Sequence, residues 1–366
     1  MRNLISKCLA NTSNYKHIQD LSNAEFTYYV VLVPVAFHLL LTYCISMRKK
    51  DLSYNIFLSA LMLVCLLFLL LVNLGDEVPR VIDAALNFGH VPLFGTVSII
   101  ILWILNNRKW PIYRLKYYVS SFTITVFLGV TTEVLQQLLT ADRFFGISDL
   151  AHDVIGSVTF LILFYPFSAG SRCKLMSYKL FSVFLIILTS IPFLLVTIDT
   201  WNMNRSMPTI NSFESRLEMA RLSGEYESSS RSKLHATDGT YSLEINLAPG
   251  TYPGISLDYL YEDWREYDRL SFDTFLEGST PLLITVRIND ALHNQHYTDR
   301  FNKQYVLLPG ANTIAIDLSE VGKAPRTRAM DMSRITNICI FSYRLKEPRT
   351  LFFDNFGLEK GSTRKP

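Results

Sequence analysis

Cysteine is scarce in this chain of 366 residues, with five in all, and Cys8, Cys44, Cys65, Cys173 and Cys339 are too scattered for a disulfide framework or a thiolate metal site. A glycine-rich phosphate loop and a Gly-x-Ser-x-Gly elbow are both missing, which removes the nucleotide-cradling and α/β-hydrolase classes. Charged residues make up only 18%. The net charge of +3 is accounted for by basic residues between apolar runs, so it implies no nucleic-acid partner. No cofactor is implied either.

What the chain has in abundance is long apolar runs. A membrane span needs about 20 mostly apolar residues, and six windows approach this: 27–46, 54–74, 87–105, 118–140, 150–168 and 178–199. Backbone groups in lipid must be paired internally, so these windows are expected as helices. The positive-inside rule orients them. Arg48, Lys49 and Lys50, then Arg108, Lys109, Arg114 and Lys116, then Arg172, Lys174 and Lys179 fall in alternate connections, while the other two hold only Arg80 and Arg143. That pattern puts residues 1–26, the 75–86 and 141–149 loops and everything after Thr200 outside an inner (plasma) membrane. Trp103, Trp110, Tyr28, Tyr29 and Trp201 sit where interfacial aromatics belong. The basic cluster follows the first run, and Tyr43 precedes Cys44, so neither a cleaved signal nor a lipoprotein site is expected.

Residues 200–240 lack a sustained apolar face and read as a tether, with a short strand or helix near Phe213–Leu222. From Tyr241 the period changes to two. Leu243, Ile245 and Leu247 alternate with polar neighbours, as do Leu282, Ile284, Val286 and Ile288, and Ile314, Ile316 and Leu318 follow the turn Pro309-Gly310-Ala311-Asn312. With 255–260, 269–276, 303–308, 336–343 and 350–358, about eight strands and no strong helix emerge, which predicts an antiparallel β-sandwich over 241–360, or from 213. The fold class is therefore a membrane α-helical bundle followed by an all-β jelly-roll sandwich.

Glu133, Gln136, Arg143, Asp149, Asp153 and Gly156 keep the spacing of the VanZ-like membrane family, and residues 50–168 resemble it. Two departures are visible. Asp153 stands where the family usually has asparagine, and Asp83-Ala84-Ala85-Leu86-Asn87 replaces its Asp-Lys-x-x-His. The resemblance implies a cell-envelope role. Phe213-Glu214, Tyr252-Pro253-Gly254, the run 263–270 and the closing run 351–358 are similar to galactose-binding-like jelly rolls of the carbohydrate-binding-module type. A fold alone does not bring a function with it.

Positions i, i+3 and i+4 share a helix face, so Glu133, Gln136 and Gln137 are expected together at the outer end of one span, and Asp149 and Asp153 at the outer start of the next. Arg143 lies in the turn between them. A charge at a helix centre costs roughly 2.5 to 3.5 kcal/mol, so the cluster needs a reason. One reading is an anion or sugar-headgroup site with Arg143 gripping phosphate and Glu133, Asp149 or Asp153 as acid or base. The other is a staple in which Arg143 bridges Glu133 and Asp153. Oxygen ligands alone would suit calcium or magnesium.

Elsewhere, Trp264, Tyr259, Tyr261 and Tyr267 form the densest aromatic group, either a sugar-stacking platform or core. Glu214 and Asp354 are candidates for the structural calcium site of this jelly roll's relatives. His293, His296, Asp290 and Asp299 read as a solvated hairpin connection before they read as a metal cluster. His90 reads as a helix–helix hydrogen-bond partner. The expected partners are membrane lipid, an extracytoplasmic glycan or lipid-linked sugar, and envelope proteins. Three functions stay open: glycan recognition by the sandwich, a membrane-embedded enzyme acting on envelope sugars, and a docking subunit of an exopolysaccharide or sorting assembly.

Overall fold

Four apolar helices lead directly into a two-sheet sandwich in the computed structural model, which describes residues 79–106, 112–139, 146–166 and 172–361. The two windows at 27–46 and 54–74, the segment 1–26 and Arg143 lie outside the described residues. The helices are α1 (Arg80–Leu105), α2 (Leu115–Leu139), α3 (Ile147–Phe164) and α4 (Arg172–Ser206). All four are long and apolar enough to cross a membrane.

Helix α1 starts behind Pro79, whose carbonyl accepts from Ile82 and Asp83 at 2.8 and 3.1 Å, and Asp83 complements the dipole of the first turn. Its buried face is Val91, Phe94, Gly95, Ser98, Ile101 and Leu102, spaced three and four apart. That face meets α3 at two glycines. A Cβ on Gly156 would run into the Val91 carbonyl, and one on Gly95 into the Phe160 ring. Small residues let helices approach closely where no hydrophobic effect drives them together. Ser121 of α2 adds a hydroxyl bond to the Ser98 carbonyl at 2.5 Å. Tyr118, near the start of α2, reaches the Phe164 carbonyl at the end of α3 at 3.4 Å, which fixes those two ends on one side of the bundle. The other side is fixed by Arg80 at the start of α1, which bonds Asp199 near the end of α4 at 2.7 Å. Helix α4 exposes Phe181, Phe184, Ile187, Leu188, Leu194 and Leu195, as a lipid-facing helix does.

Three residues beyond α4 the sandwich begins. Its strands are β1 (Thr209–Asn211), β2 (Leu222–Glu225), β3 (Ser228–Ser232), β4 (Ser242–Leu247), β5 (Gly254–Asp258), β6 (Arg269–Leu276), β7 (Leu282–Asp290), β8 (Phe301–Leu307), β9 (Gly310–Asp317), β10 (Ile335–Phe341) and β11 (Arg349–Glu359). One sheet has the order β3-β4-β11-β6-β9, with β1 on the second half of β11; the other has the order β2-β5-β10-β7-β8. All pairings are antiparallel. Between the sheets Phe272 stacks on Phe356 at 4.7 Å with Phe213 edge-on to Phe356 at 6.0 Å, and Leu243, Ile245, Leu257 and Ile288 are fully buried around them.

Two expectations need correction. Residues 209–232 are not a tether: they form β1, a 3-10 turn at Glu218–Arg221, β2 and β3. Strands β2 and β3 are the outer strands of their sheets, held by backbone pairing to β5 and β4. Ser228–Ser232 accordingly carries no apolar alternation to read. Leu318 continues no strand; it opens the helix α5 (Leu318–Gly322), capped by Asp317, which accepts from the Ser319 amide at 2.7 Å.

Candidate functional site

The outward face of the β2-β5-β10-β7-β8 sheet is built in rows by its register. Ser256 of β5 lies opposite Cys339 of β10, Cys339 opposite Arg287 of β7, and Arg287 opposite Asn302 of β8. One pleat further on, Gly254, Phe341, Thr285 and Gln304 form the next row. Alternation forces this arrangement, because Ile255, Val286, Ile288, Ile338 and Ile340 of the same strands all turn inward to the core. The rows floor a groove of about 660 Å³.

Tyrosines rise at its ends. Tyr252 packs edge-on to Phe341 at 5.7 Å and lies 5.3 Å from Tyr343, while Tyr297 stands under the Arg300 guanidinium, whose Cζ is 5.3 Å from its ring centre. Tyr252, Tyr343 and Tyr297 are 55%, 50% and 68% exposed, whereas Trp264 is 0% exposed. That contrast separates Trp264 from the exposed rings. Trp264 is core, with its Nε1–H donated to the Tyr261 carbonyl at 2.8 Å and its amide to Met332 at 2.8 Å. Tyr261 and Tyr267 are half-buried, and Tyr267 packs on the core with Lys360 over its ring. Tyr259 is exposed but faces Arg80 of α1 at 5.1 Å. The four aromatics close in sequence therefore do not form one surface.

The polar groups of the groove are under-partnered. Arg287 Nε, Arg300 Nε and Asn302 Oδ1 are buried atoms without a hydrogen-bond partner. Burial, and then the positive charge of Arg287, hold the Arg300 guanidinium below its ordinary value. A site of this kind offers flat apolar faces for sugar C–H groups and donors for hydroxyls or anions.

A second constellation lies inside the bundle, near the end that carries the sandwich. His90 Nδ1 of α1 and Asp153 Oδ1 of α3 are 2.8 Å apart and buried, so His90 is a helix–helix partner as expected. Glu133 Oε2 of α2 accepts from the Gly146 amide at 3.1 Å, just before α3 begins. Glu133 and Gln136 are buried, Asp149 is half-buried, and Gln137 is exposed, so Gln137 does not share their side. Gly129 makes room for Asp153, whose Oδ2 would lie 2.8 Å from a Cβ there. Glu133 Oε1, Asp153 Oδ2 and His152 Nδ1 are buried without partners. Asp153 thus has a described partner the sequence reading did not assign to it.

The remaining candidates have structural work. Glu214 Oε1 accepts from the Thr240 and Tyr241 amides at 2.6 and 2.7 Å. Asp354 Oδ2 accepts from the Thr237 and Asp238 amides at 2.6 and 3.0 Å, and its Oδ1 from Asn355 at 2.8 Å. These carboxylates tie a loop to the sheet. The loop with His293 and His296 is not simply solvated: Asp290 and Asp299 are buried and both are clamped by Arg328, with His293 Nδ1 at 2.9 Å from the Asp299 carbonyl. Among the described residues no group of three His, Cys, Asp or Glu side chains is placed to hold a metal.

No protein-family model matches the chain, and no curated protein does. Among solved structures, the chain is similar to an exo-β-agarase, with TM-score 0.35, 13% identity and coverage of 42% of this chain and 25% of that one. It is also similar to the family 11 carbohydrate-binding module of Clostridium thermocellum in complex with a β-1,3-1,4-mixed-linked tetrasaccharide (TM-score 0.33, 18% identity, 42% of this chain and 95% of that one). The family 30 module of the cellulosomal cellulase Cel9D-Cel44B from the same organism follows (TM-score 0.29, 18% identity, 42% of this chain and 92% of that one). The chain spans a quarter of the agarase's length and nearly all of each module's.

Proposed function

We propose that this chain is a membrane-anchored glycan-binding protein of the cell envelope, with the sandwich on the extracytoplasmic side and the β2-β5-β10-β7-β8 face as its binding surface. The observation that carries the reading is the groove in which exposed Tyr252, Tyr343 and Tyr297 bracket strand-borne Thr285, Arg287, Asn302 and Gln304. Orientation rests on charge: Arg114 and Lys116 belong to the end of the bundle opposite Asp199 and the sandwich, and basic connections are retained in the cytoplasm. The test is binding of the full chain in nanodiscs to a glycan array. Tyr252→Ala combined with Tyr343→Ala should lose the signal with unfolding unchanged. Retained binding in that variant would refute the groove.

A second reading, a membrane-embedded enzyme on lipid-linked or polymerised envelope sugars, is favoured by the partnerless Glu133 Oε1 and Asp153 Oδ2 beside the His90–Asp153 bond. It agrees with the VanZ-like spacing of Glu133, Gln136, Arg143, Asp149 and Asp153. In this reading Glu133 or Asp153 moves a proton and Arg143 holds the anionic group. Replacing His90 and Asp153 together with Phe and Leu removes the polar pair without stranding either member. A folded double variant that fails to complement a deletion strain supports the enzyme reading; full complementation rejects it.

A further inference from the structure

We infer that the groove takes an acidic glycan, one whose sugar units bear carboxylate or sulfate, in preference to a neutral one; this rests on the glycan reading of the same groove. Five arginines of the sandwich have a described acidic partner. Arg328 has Asp290 and Asp299, Arg221 has Asp199, Arg265 has Asp263, Arg269 has Glu359 and Arg349 has Glu347. Arg287 and Arg300 stand apart from these five by their place on the groove floor and wall. Neither is in an ion pair among the described residues, their Nε atoms are buried without acceptors, and each is a positive neighbour of the other. The leading charge neighbours of Arg300 are Arg287, Tyr297, Cys339 and Tyr252, none of them a carboxylate.

The acidic residue that lines the groove is Glu225, on the far strand. It pairs with Gly254, which pairs with Phe341, which pairs with Thr285 on the strand of Arg287. Three strand spacings amount to about 14 Å, beyond a Debye length of about 8 Å at physiological salt. Its Oε1 is moreover turned to the Gly250 turn, where a Cβ would lie 2.9 Å away. Two like charges held together in a half-buried groove oppose folding, and an oxyanion between them would relieve the repulsion while filling the vacant donors. The guanidinium fork matches carboxylate and sulfate in two-point fashion. Tyr297 beneath Arg300 leaves an aromatic face beside that charge for the sugar ring itself.

The test uses the full chain in nanodiscs of zwitterionic lipid and two matched pairs of polymers: polygalacturonate with its methyl ester, and dextran sulfate with dextran. The acidic member of at least one pair should bind about tenfold or more tightly than its neutral counterpart. Arg287→Gln and Arg300→Gln, made separately and checked by thermal unfolding, should each remove most of that difference. The two pairs separate a carboxylate ligand from a sulfate ligand. Equal binding within both pairs, or a preference for the neutral members, overturns the inference while leaving glycan recognition standing. An acidic preference that survives in both variants overturns it as well, because the arginines would not be its source. Failure to bind any of the four polymers also overturns it, and if the glycan array is blank too, the glycan reading falls with it.

Discussion

Arg221 of the sandwich grips Asp199 of α4 with two bonds, Nε to Oδ2 at 2.9 Å and Nη2 to Oδ1 at 2.6 Å. Both side chains are buried, and Arg80 of α1 donates to the same carboxylate at 2.7 Å. One acidic group thus joins the first described helix, the last helix of the bundle and the first turn of the sandwich. Removing it would take from two guanidinium groups, one of them fully enclosed, the carboxylate to which both are hydrogen-bonded.

Asp199→Asn is therefore expected to destabilise the protein by roughly 3–5 kcal/mol, the cost of breaking a buried pair. Arg80→Gln should cost less, because its side chain is 19% exposed. The check is thermal unfolding in detergent, with Asp199→Asn/Arg221→Gln as the third sample. A double variant no more stable than Asp199→Asn alone would contradict the pairing.

Much of this architecture could be read from residues, and the part that could not has identifiable causes. The eight strands from Tyr241 onward announced themselves by alternation, and β4 to β11 occupy those segments. Strands β2 and β3 gave no such signal because, Leu222 apart, these outer strands are made of Ser, Arg, Gly and Glu and are held by backbone pairing. The groove was hidden for another reason. Tyr252, Tyr297 and Tyr343 are distant in sequence, and alternation tells which residues face outward without telling which sheet carries the binding face. Trp264 misled in the opposite direction, since aromatic density in a loop says nothing about which ring turns inward. In the bundle, Glu133, Asp149 and Asp153 were visible as misplaced charge, but the 63-residue separation of His90 from Asp153 left that bond without a sequence signature.

The glycine contacts between α1 and α3 make a sharper test of helix packing. At Gly156 an added methyl meets the Val91 carbonyl, a backbone atom that cannot rotate away. Gly156→Ala should thus force the helices apart and cost about 1–3 kcal/mol. Gly89 of α1 has nothing within 4 Å of its would-be Cβ, so Gly89→Ala should be neutral or stabilise by about 0.5–1 kcal/mol through helix propensity. Unfolding midpoints in detergent that failed to separate the two variants would refute the close approach.

Stability should also report on Arg328. Its hydrogen bonds to Asp299, at 2.7 and 3.1 Å, hold that carboxyl below the usual aspartate range, helped by the Asn294 amide. A depressed folded value means the unfolded chain binds more protons at acid pH. The contribution is therefore complete above the ordinary aspartate pKa of about 3.9 and disappears as pH falls through the lower folded value. Asp299→Asn should lower the unfolding midpoint at pH 7, and the gap from wild type should close below about pH 4. A gap that stays constant from pH 7 to pH 3 would show that the Arg328 pairing is not its source.

Stability and binding should separate cleanly in the aromatic residues. Trp264 is enclosed and makes its indole bond to Tyr261, so Trp264→Ala should cost about 3–5 kcal/mol, the range for emptying a large aromatic site. Tyr297 is 68% exposed at the rim of the groove, and Tyr297→Ala should change stability by no more than about 0.5 kcal/mol. Its effect belongs to the ligand. If the groove binds glycan as proposed, losing the ring that lies against Arg300 should weaken that binding by about tenfold, equivalent to about 1.4 kcal/mol. Measuring both variants by thermal unfolding and by binding in nanodiscs gives a two-by-two outcome. The groove assignment requires that Tyr297→Ala keep its midpoint and lose affinity. The opposite result for Tyr297, a lowered midpoint with unchanged affinity, would make it a packing residue and move the binding face elsewhere.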